Sequence, residues 1–156
     1  MMSSYDRYAA VDYAREWALA DNPHFSLCGE KKCAGFISEC LYSGSGIMNA
    51  RKNGGWFYKN QCEKSASWNN VEKLVRFILN NKGKGPCGEF TKKECALPGD
   101  IVLFKYRKSN LVIPGIIASA DGQLLVCSYY NRSFMRNISD FNASETLFLH
   151  ILGVKR

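Results

Sequence analysis

The sequence has only two histidines, His24 and His150, and no two cysteines stand at the Cys-x-x-Cys spacing that zinc sites favour. It also has no apolar run near the ~18 residues that a membrane-spanning helix needs. Its opening residues lack the basic and then apolar pattern of a secretory signal. We therefore expect no metal, no cofactor, no membrane contact and a cytoplasmic location.

The cysteine count is high and odd, with seven in 156 residues. A disulfide framework would leave one thiol over, and a chain of this length does not need one. The count therefore favours a reducing compartment, in which most of these cysteines are small buried apolar side chains.

Positive charge is concentrated beyond the first thirty residues. The formal net charge is +7, yet residues 1–30 hold two arginines against five acids. The remaining segment therefore carries +10. Basic pairs at loop ends are commonly just solvated, but this excess also fits an anionic small molecule, such as a nucleotide, or an acidic protein surface. No nucleic-acid-binding motif accompanies it.

Helical patterns precede strand patterns along the chain. Apolar spacing predicts a helix over about 5–19, a second from Cys33 onward and a third around residues 71–79. The predicted core faces are Ala10, Ala14, Trp17 and Ala18 in the first helix, and Val71, Leu74, Val75, Ile78 and Leu79 in the third. Strand patterns follow at 101–104, 111–119, 123–130 and 147–154. This order predicts a single α+β domain over residues 1–156, with N-terminal helices packed on an antiparallel sheet.

Cys33 is the candidate nucleophile. It follows the polar stretch at 28–32 and begins an amphipathic helix, where the partial positive charge of the helix N-terminus favours a thiolate. Backbone N–H groups at the same place could stabilise an oxyanion. Buried structural cysteines are far more common than nucleophiles, so this position alone does not establish an enzyme.

Several segments in order resemble the putative amidase family of Gram-positive bacteria, a branch of the papain-like superfamily with the NlpC-type and CHAP cell-wall hydrolases. The similar segments, which span roughly residues 5–151, are Tyr5-Asp6-Arg7-Tyr8-Ala9-Ala10-Val11-Asp12-Tyr13-Ala14, Cys33-Ala34-Gly35-Phe36-Ile37-Ser38-Glu39, Trp56-Phe57-Tyr58 and Leu97-Pro98-Gly99-Asp100-Ile101-Val102. The resemblance implies a papain-like fold in which Cys33 is the nucleophile.

The same resemblance exposes three departures. Where the family has its catalytic histidine this chain has Pro114, and where a second histidine usually follows it has Tyr129, Tyr130 and Asn131. The aspartate before the nucleophile is replaced by Lys32. A cysteine without a base lacks the general acid that a leaving amine needs, so we expect no amide hydrolysis.

Three functions stay open at this point. The first is a catalytically degenerate amidase-fold protein whose cleft binds an anionic ligand or a protein partner, as a phage-encoded or defence-related inhibitor would. The second is an active cysteine amidase or peptidase on peptidoglycan peptides, with His24 or another group as the base. The third is an interaction module without a small-molecule site.

Overall fold

A computed structural model describes residues 1–25 and 31–156, apart from the side chain of Lys31. Of the polar stretch predicted at 28–32, residues 28–30 lie outside the described residues, and the helix predicted to begin at Cys33 begins two residues earlier, at Lys31. The helices are α1 (Arg7–Trp17), α2 (Lys31–Ser45) and α3 (Val71–Asn80). The strands are β1 (Met2–Ser3), β2 (Tyr58–Asn60), β3 (Glu63–Lys64), β4 (Gly85–Thr91), β5 (Ile101–Tyr106), β6 (Leu111–Ser119), β7 (Leu125–Ser128), β8 (Ser133–Asn137) and β9 (Glu145–Lys155).

An antiparallel sheet supports the helices. Its order is β1-β9-β5-β6-β7-β8, and β4 pairs with the other side of β9, while β2 and β3 form a separate hairpin. Residues alternate between its faces, so Ile101 and Leu103 pack in the core beneath the helices, whereas Val102 and Phe104 form a second core on the opposite face. The predicted α+β class and the antiparallel sheet are confirmed.

Small residues set the closeness of α1 to α2. Asp6 caps α1 by accepting a hydrogen bond from the Ala9 N–H at 3.0 Å. Ala10, Ala14 and Ala18 then form a fully buried stripe at intervals of four residues, as the sequence pattern predicted, whereas Trp17 on the same predicted face is only half-buried. Only a glycine fits at position 44 of α2, because a Cβ there would collide with the Tyr5 ring.

The third helix confirms part of its predicted core. Leu74 and Ile78 are buried, but Val75 is only half-buried and Leu79 is exposed. Phe77 is buried instead, where its ring stacks on that of Trp56 at 5.9 Å. Because Phe77 packs against Trp56, the buried face of the helix includes Phe77 and excludes Leu79, unlike the face that the sequence pattern predicted.

Strand β4 was not predicted, because Gly85-Pro86-Cys87-Gly88 has the composition of a turn. It pairs with β9 from Gly85 opposite Lys155 to Thr91 opposite Phe148. Gly88 is needed within this strand, since a Cβ would collide with the carbonyl oxygen of His150.

The cysteines divide between core and surface. Cys40, Cys87 and Cys127 are buried, whereas Cys62 and Cys95 are exposed. No disulfide joins any two cysteines of the described ranges. The prediction that most cysteines would be buried apolar side chains thus holds for half of those described. In the same part of the chain, every helix is too short or too polar to cross a bilayer.

A buried carboxylate joins three elements. Asp100 is fully buried and accepts hydrogen bonds from Arg7 Nη1 at 2.7 Å, the Leu97 N–H at 2.9 Å and the Ile151 N–H at 3.0 Å. His150 Nδ1 lies 2.8 Å from Oδ2 of the Asp100 carboxylate. The carboxylate thereby connects α1, the start of β5 and the middle of β9.

Replacing Asp100 with alanine should destabilise the fold strongly. The change leaves the Arg7 guanidinium and the N–H groups of Leu97 and Ile151 without their acceptor, and breaking a buried ion pair in this way costs about 3–5 kcal/mol. Urea unfolding should show that loss in the free energy of unfolding. Asp121→Ala is the matched control, because Asp121 is exposed and has the same charge. Similar stability of the two variants would contradict this role.

Candidate functional site

Cys33 lies in the first turn of α2, and its half-buried side chain lines an open groove of about 1030 Å³. The start of α3 forms one wall of this groove, and the neighbouring ends of several strands form the other. Its lining residues are Cys33, Ala34, Asn69, Asn70, Val71, Glu72, Val75, Phe90, Leu103, Lys105, Asn110, Leu111, Val112, Ile113, Tyr129, Tyr130, Asn131 and Leu147. We call it the Cys33 groove.

The structure brings together four of the residues that the sequence singled out. Cys33, Tyr129, Tyr130 and Asn131 all line the Cys33 groove. Lys32 instead lines a smaller neighbouring pocket of about 210 Å³, in which Tyr129 also takes part.

Pro114 is buried within β6 and is not among the residues that line the groove. It pairs with Leu103 of β5, and the pairing with β7 begins only at Ile116 opposite Cys127. The Ser128 hydroxyl donates to the Pro114 carbonyl oxygen at 2.9 Å. A proline is tolerated in this inner strand because its missing N–H would face β7, where the ladder has already ended.

Neither histidine of the chain lines the Cys33 groove. His24 is exposed, and its ring meets that of Phe25 edge-on at 5.0 Å. His150 lies in β9 beside Asp100, and strand alternation places it on the same face as Phe148, opposite the helices.

An ion-pair network surrounds Lys32. Asp21 accepts from Lys32 Nζ at 3.1 Å and from Arg132 Nη2 at 2.6 Å. The Arg132 guanidinium lies 4.0 Å from the Tyr129 ring centre and also donates to the Tyr129 hydroxyl at 2.9 Å. Hydrogen bonding from Arg132 lowers the pKa of Asp21, and hydrogen bonding to Asp21 raises the pKa of Lys32.

The backbone after Tyr130 is unusual. Asn131 and Arg132 both have positive φ, 53° and 46°. Asparagine adopts this left-handed region more readily than most residues, but two consecutive instances store strain, and such strain clusters at functional sites. This conformation brings Arg132 beneath Tyr129 at the border between the groove and the smaller pocket.

Glu39 is a residue of the smaller pocket that the sequence reading missed. It is buried, and its Oε2 accepts a hydrogen bond from the Tyr13 hydroxyl at 2.7 Å. Burial raises the pKa of Glu39 to about 7, and burial together with the Glu39 charge raises the pKa of Tyr13. One signal was available, because Glu39 is the single charged residue between positions 33 and 45.

Comparison with known proteins gives the family. The model of a family described as "Putative amidase domain" matches residues 4–147. The chain belongs to this family. The Uncharacterized protein YhbB of Bacillus subtilis (strain 168) is 30% identical over 104 residues, which cover 65% of this chain and 33% of that protein. The match thus spans about a third of the relative's length. No solved structure matches.

Stability should depend on pH through Glu39. Its folded pKa of about 7 lies above the ordinary 4.5, so the folded state holds the proton more tightly. This contribution is fully present below about pH 4.5 and is lost as the pH rises through about 7. Between about pH 5 and 7.5, the wild type should lose about 2 kcal/mol more free energy of unfolding than Glu39→Gln. Urea unfolding across this range tests the effect.

Glu94→Gln is the control for this measurement, since Glu94 is exposed. It should keep the pH dependence of the wild type. An unchanged dependence in Glu39→Gln would show that Glu39 titrates normally.

Proposed function

We propose that this amidase-family domain binds a polypeptide segment in the Cys33 groove and does not hydrolyse amide bonds. The observation that supports this most directly is that neither histidine lines the groove that contains Cys33.

Among the described residues of the groove, the asparagines and the one carboxylate are poor replacements for a histidine base. Asn69, Asn70 and Asn131 have amide side chains, which do not take up protons at neutral pH. Glu72 is exposed and bound to Arg76 at 2.7 Å. A missing general base or acid typically costs 10²–10⁴ in rate, and groups that act as a unit lose more together.

The lining of the groove suits an extended, largely apolar peptide. Seven aliphatic side chains from α3, β5, β6 and β9 line the wall. Phe90, Leu111 and Tyr130 keep 49%, 39% and 38% of their surface exposed at its rim. Exposed apolar side chains gathered around one concavity are typical of an interaction site.

The first half of β6 adds backbone groups to this surface. Its register with β5 covers Leu111 to Ile116, whereas its register with β7 begins at Ile116. A peptide in the extended conformation could therefore align with the side of β6 that β7 leaves uncovered, while its side chains pack on the apolar wall. The Ser128 hydroxyl already occupies the Pro114 carbonyl, which sets one limit of this segment.

An active cysteine amidase on peptidoglycan peptides, with Cys33 as nucleophile, is the alternative. The family match favours it, because the family is described as an amidase domain. The two functions differ in their dependence on the Cys33 sulfur, so a single substitution separates them.

Wild type and Cys33→Ser should behave alike in hydrolysis and in binding. The serine preserves the shape of the side chain and removes the nucleophilic thiol. Release of amines from peptidoglycan stem peptides should stay at the level of the buffer for both proteins. Pro114→His in the wild type should give little activity, because Pro114 is buried in β6 outside the lining of the Cys33 groove and the positions of Lys32 and Tyr130 still lack their family counterparts. Turnover that disappears in Cys33→Ser would establish the amidase instead.

Leu111→Asp should weaken peptide binding at least tenfold. The change places a charge at the apolar rim of the groove, and Leu111 is exposed enough for the fold to tolerate it. The probe is a panel of fluorescent ten-residue peptides in which valine or leucine alternates with serine, followed by fluorescence anisotropy. Leu152→Asp is the matched control, since Leu152 is 48% exposed on β9 away from the groove. Equal effects of both variants, or no binding by any peptide, would contradict the proposal.

A further inference from the structure

A second groove, which shares no lining residue with the Cys33 groove, is lined by many basic side chains. It has a volume of about 690 Å³ and lies between the turn at 51–55, the β2–β3 hairpin and one face of α3. Six basic residues line it, and no acid of the described chain does: they are Arg51, Lys52, Lys64, Lys73, Arg76 and Lys82. We call it the basic groove.

A shallower concavity extends the same charge. It shares Lys82 and Gly83 with the basic groove and is further lined by Lys84, Lys155 and Arg156. Its remaining lining residues, Met1 and Met2, are not acidic. The two concavities together form one continuous basic surface.

Most of the net charge of the protein comes from this region. Residues 45–88 contain eight lysines and arginines but only two acids, which gives +6 of the total +7. Both acids are already engaged, Glu63 by Lys59 at 2.6 Å and Glu72 by Arg76 at 2.7 Å. Charge this concentrated attracts anions from solution and is not a by-product of evenly distributed surface lysines.

Hydrogen bonds hold the backbone segments that form the walls of the basic groove. The Ser67 hydroxyl donates to the Gly55 carbonyl at 2.5 Å, and Asn49 and Trp56 exchange backbone hydrogen bonds of 2.8 Å. Buried Asn81 donates to the carbonyl oxygens of Lys84 and Pro86 and accepts from the Gly83 N–H. The groove is therefore formed before any ligand arrives, and only the basic side chains need to adjust.

The lining favours phosphates over an acidic protein surface. Protein interfaces depend on exposed apolar anchors, but none of the large exposed apolar side chains lines the basic groove. Phe57, which is half-buried in the wall, instead offers an aromatic ring of the kind on which bases stack. A flexible single strand can follow such a concavity with its phosphates on the basic side chains and a base on the ring of Phe57.

We propose that the basic groove binds single-stranded nucleic acid through its phosphates, without sequence specificity. The long lysine side chains act as mobile point charges for the phosphates. This activity is independent of the Cys33 groove, since none of the residues that line one groove lines the other.

Fluorescence anisotropy with labelled dT12 tests this proposal on the full chain. Each phosphate contact lowers the binding constant with salt by a slope of about −0.7 in a log–log plot. About four contacts should therefore weaken binding roughly fifty-fold between 50 and 200 mM NaCl. Lys52→Glu/Lys73→Glu should weaken binding at 50 mM NaCl at least tenfold, because it reverses two charges inside the groove that form no ion pair with a described acid.

Lys92→Glu/Lys93→Glu is the matched control, because it makes the same change in net charge at two exposed residues outside the basic groove. Its affinity should stay within about threefold of the wild type, and thermal unfolding should confirm that both variants are folded. Equal losses in the two variants, tighter binding to a twelve-residue polyglutamate or to a duplex, or no binding to dT12 at 50 mM NaCl would each overturn the proposal.

Discussion

The buried negative charge of Asp100 must be compensated, and its partners fix how the helical layer meets the sheet. Arg7 comes from α1, the Leu97 N–H from the turn before β5 and the Ile151 N–H from β9, so all three elements must arrive together for the charge to be paired. The same guanidinium donates to the carbonyl oxygens of Pro98 and Ile151, at 3.0 and 2.7 Å. An isolated charge in this position would cost several kcal/mol, which makes alternative packings of α1 unfavourable.

Much of the scaffold was predictable, because it depends on local patterns. The alanine stripe of α1, the bounds of β6 at 111–119 and the placement of Cys33 in the first turn of a helix follow from periodicity and turn residues. The failures have non-local causes. Strand β4 exists because β9 provides a partner for a turn-like sequence, and Phe77 replaced Leu79 in the core because Trp56 stacks on it. No window of sequence contains either partner.

The candidate site was predicted only in part for the same reason. The family pattern assigned Cys33, Tyr129, Tyr130 and Asn131, and these four line one groove. It could not show that Asp21 and Arg132, 111 residues apart, form an ion pair of 2.6 Å beside Lys32. Glu39 was missed because a carboxylate in a helix is normally expected at the surface. Only the structure shows that it is buried and hydrogen-bonded to Tyr13.

Most of the clustered positive charge and Cys33 lie in different parts of the molecule, and this separation bears on the proposed functions. The sequence led us to expect both in one cleft, because a net charge does not show where on the fold the charged residues lie. In the fold, Lys105 is the one basic residue that lines the Cys33 groove among the described residues, while six of the seven lysines and arginines of 51–82 line the basic groove beside α3. Helix α3 has Val71 and Val75 on the groove side and Lys73, Arg76 and Asn80 on the other, so one amphipathic helix separates an apolar surface from a basic one. The two proposed ligands, an extended apolar peptide and a single-stranded nucleic acid, would therefore occupy separate surfaces of the protein.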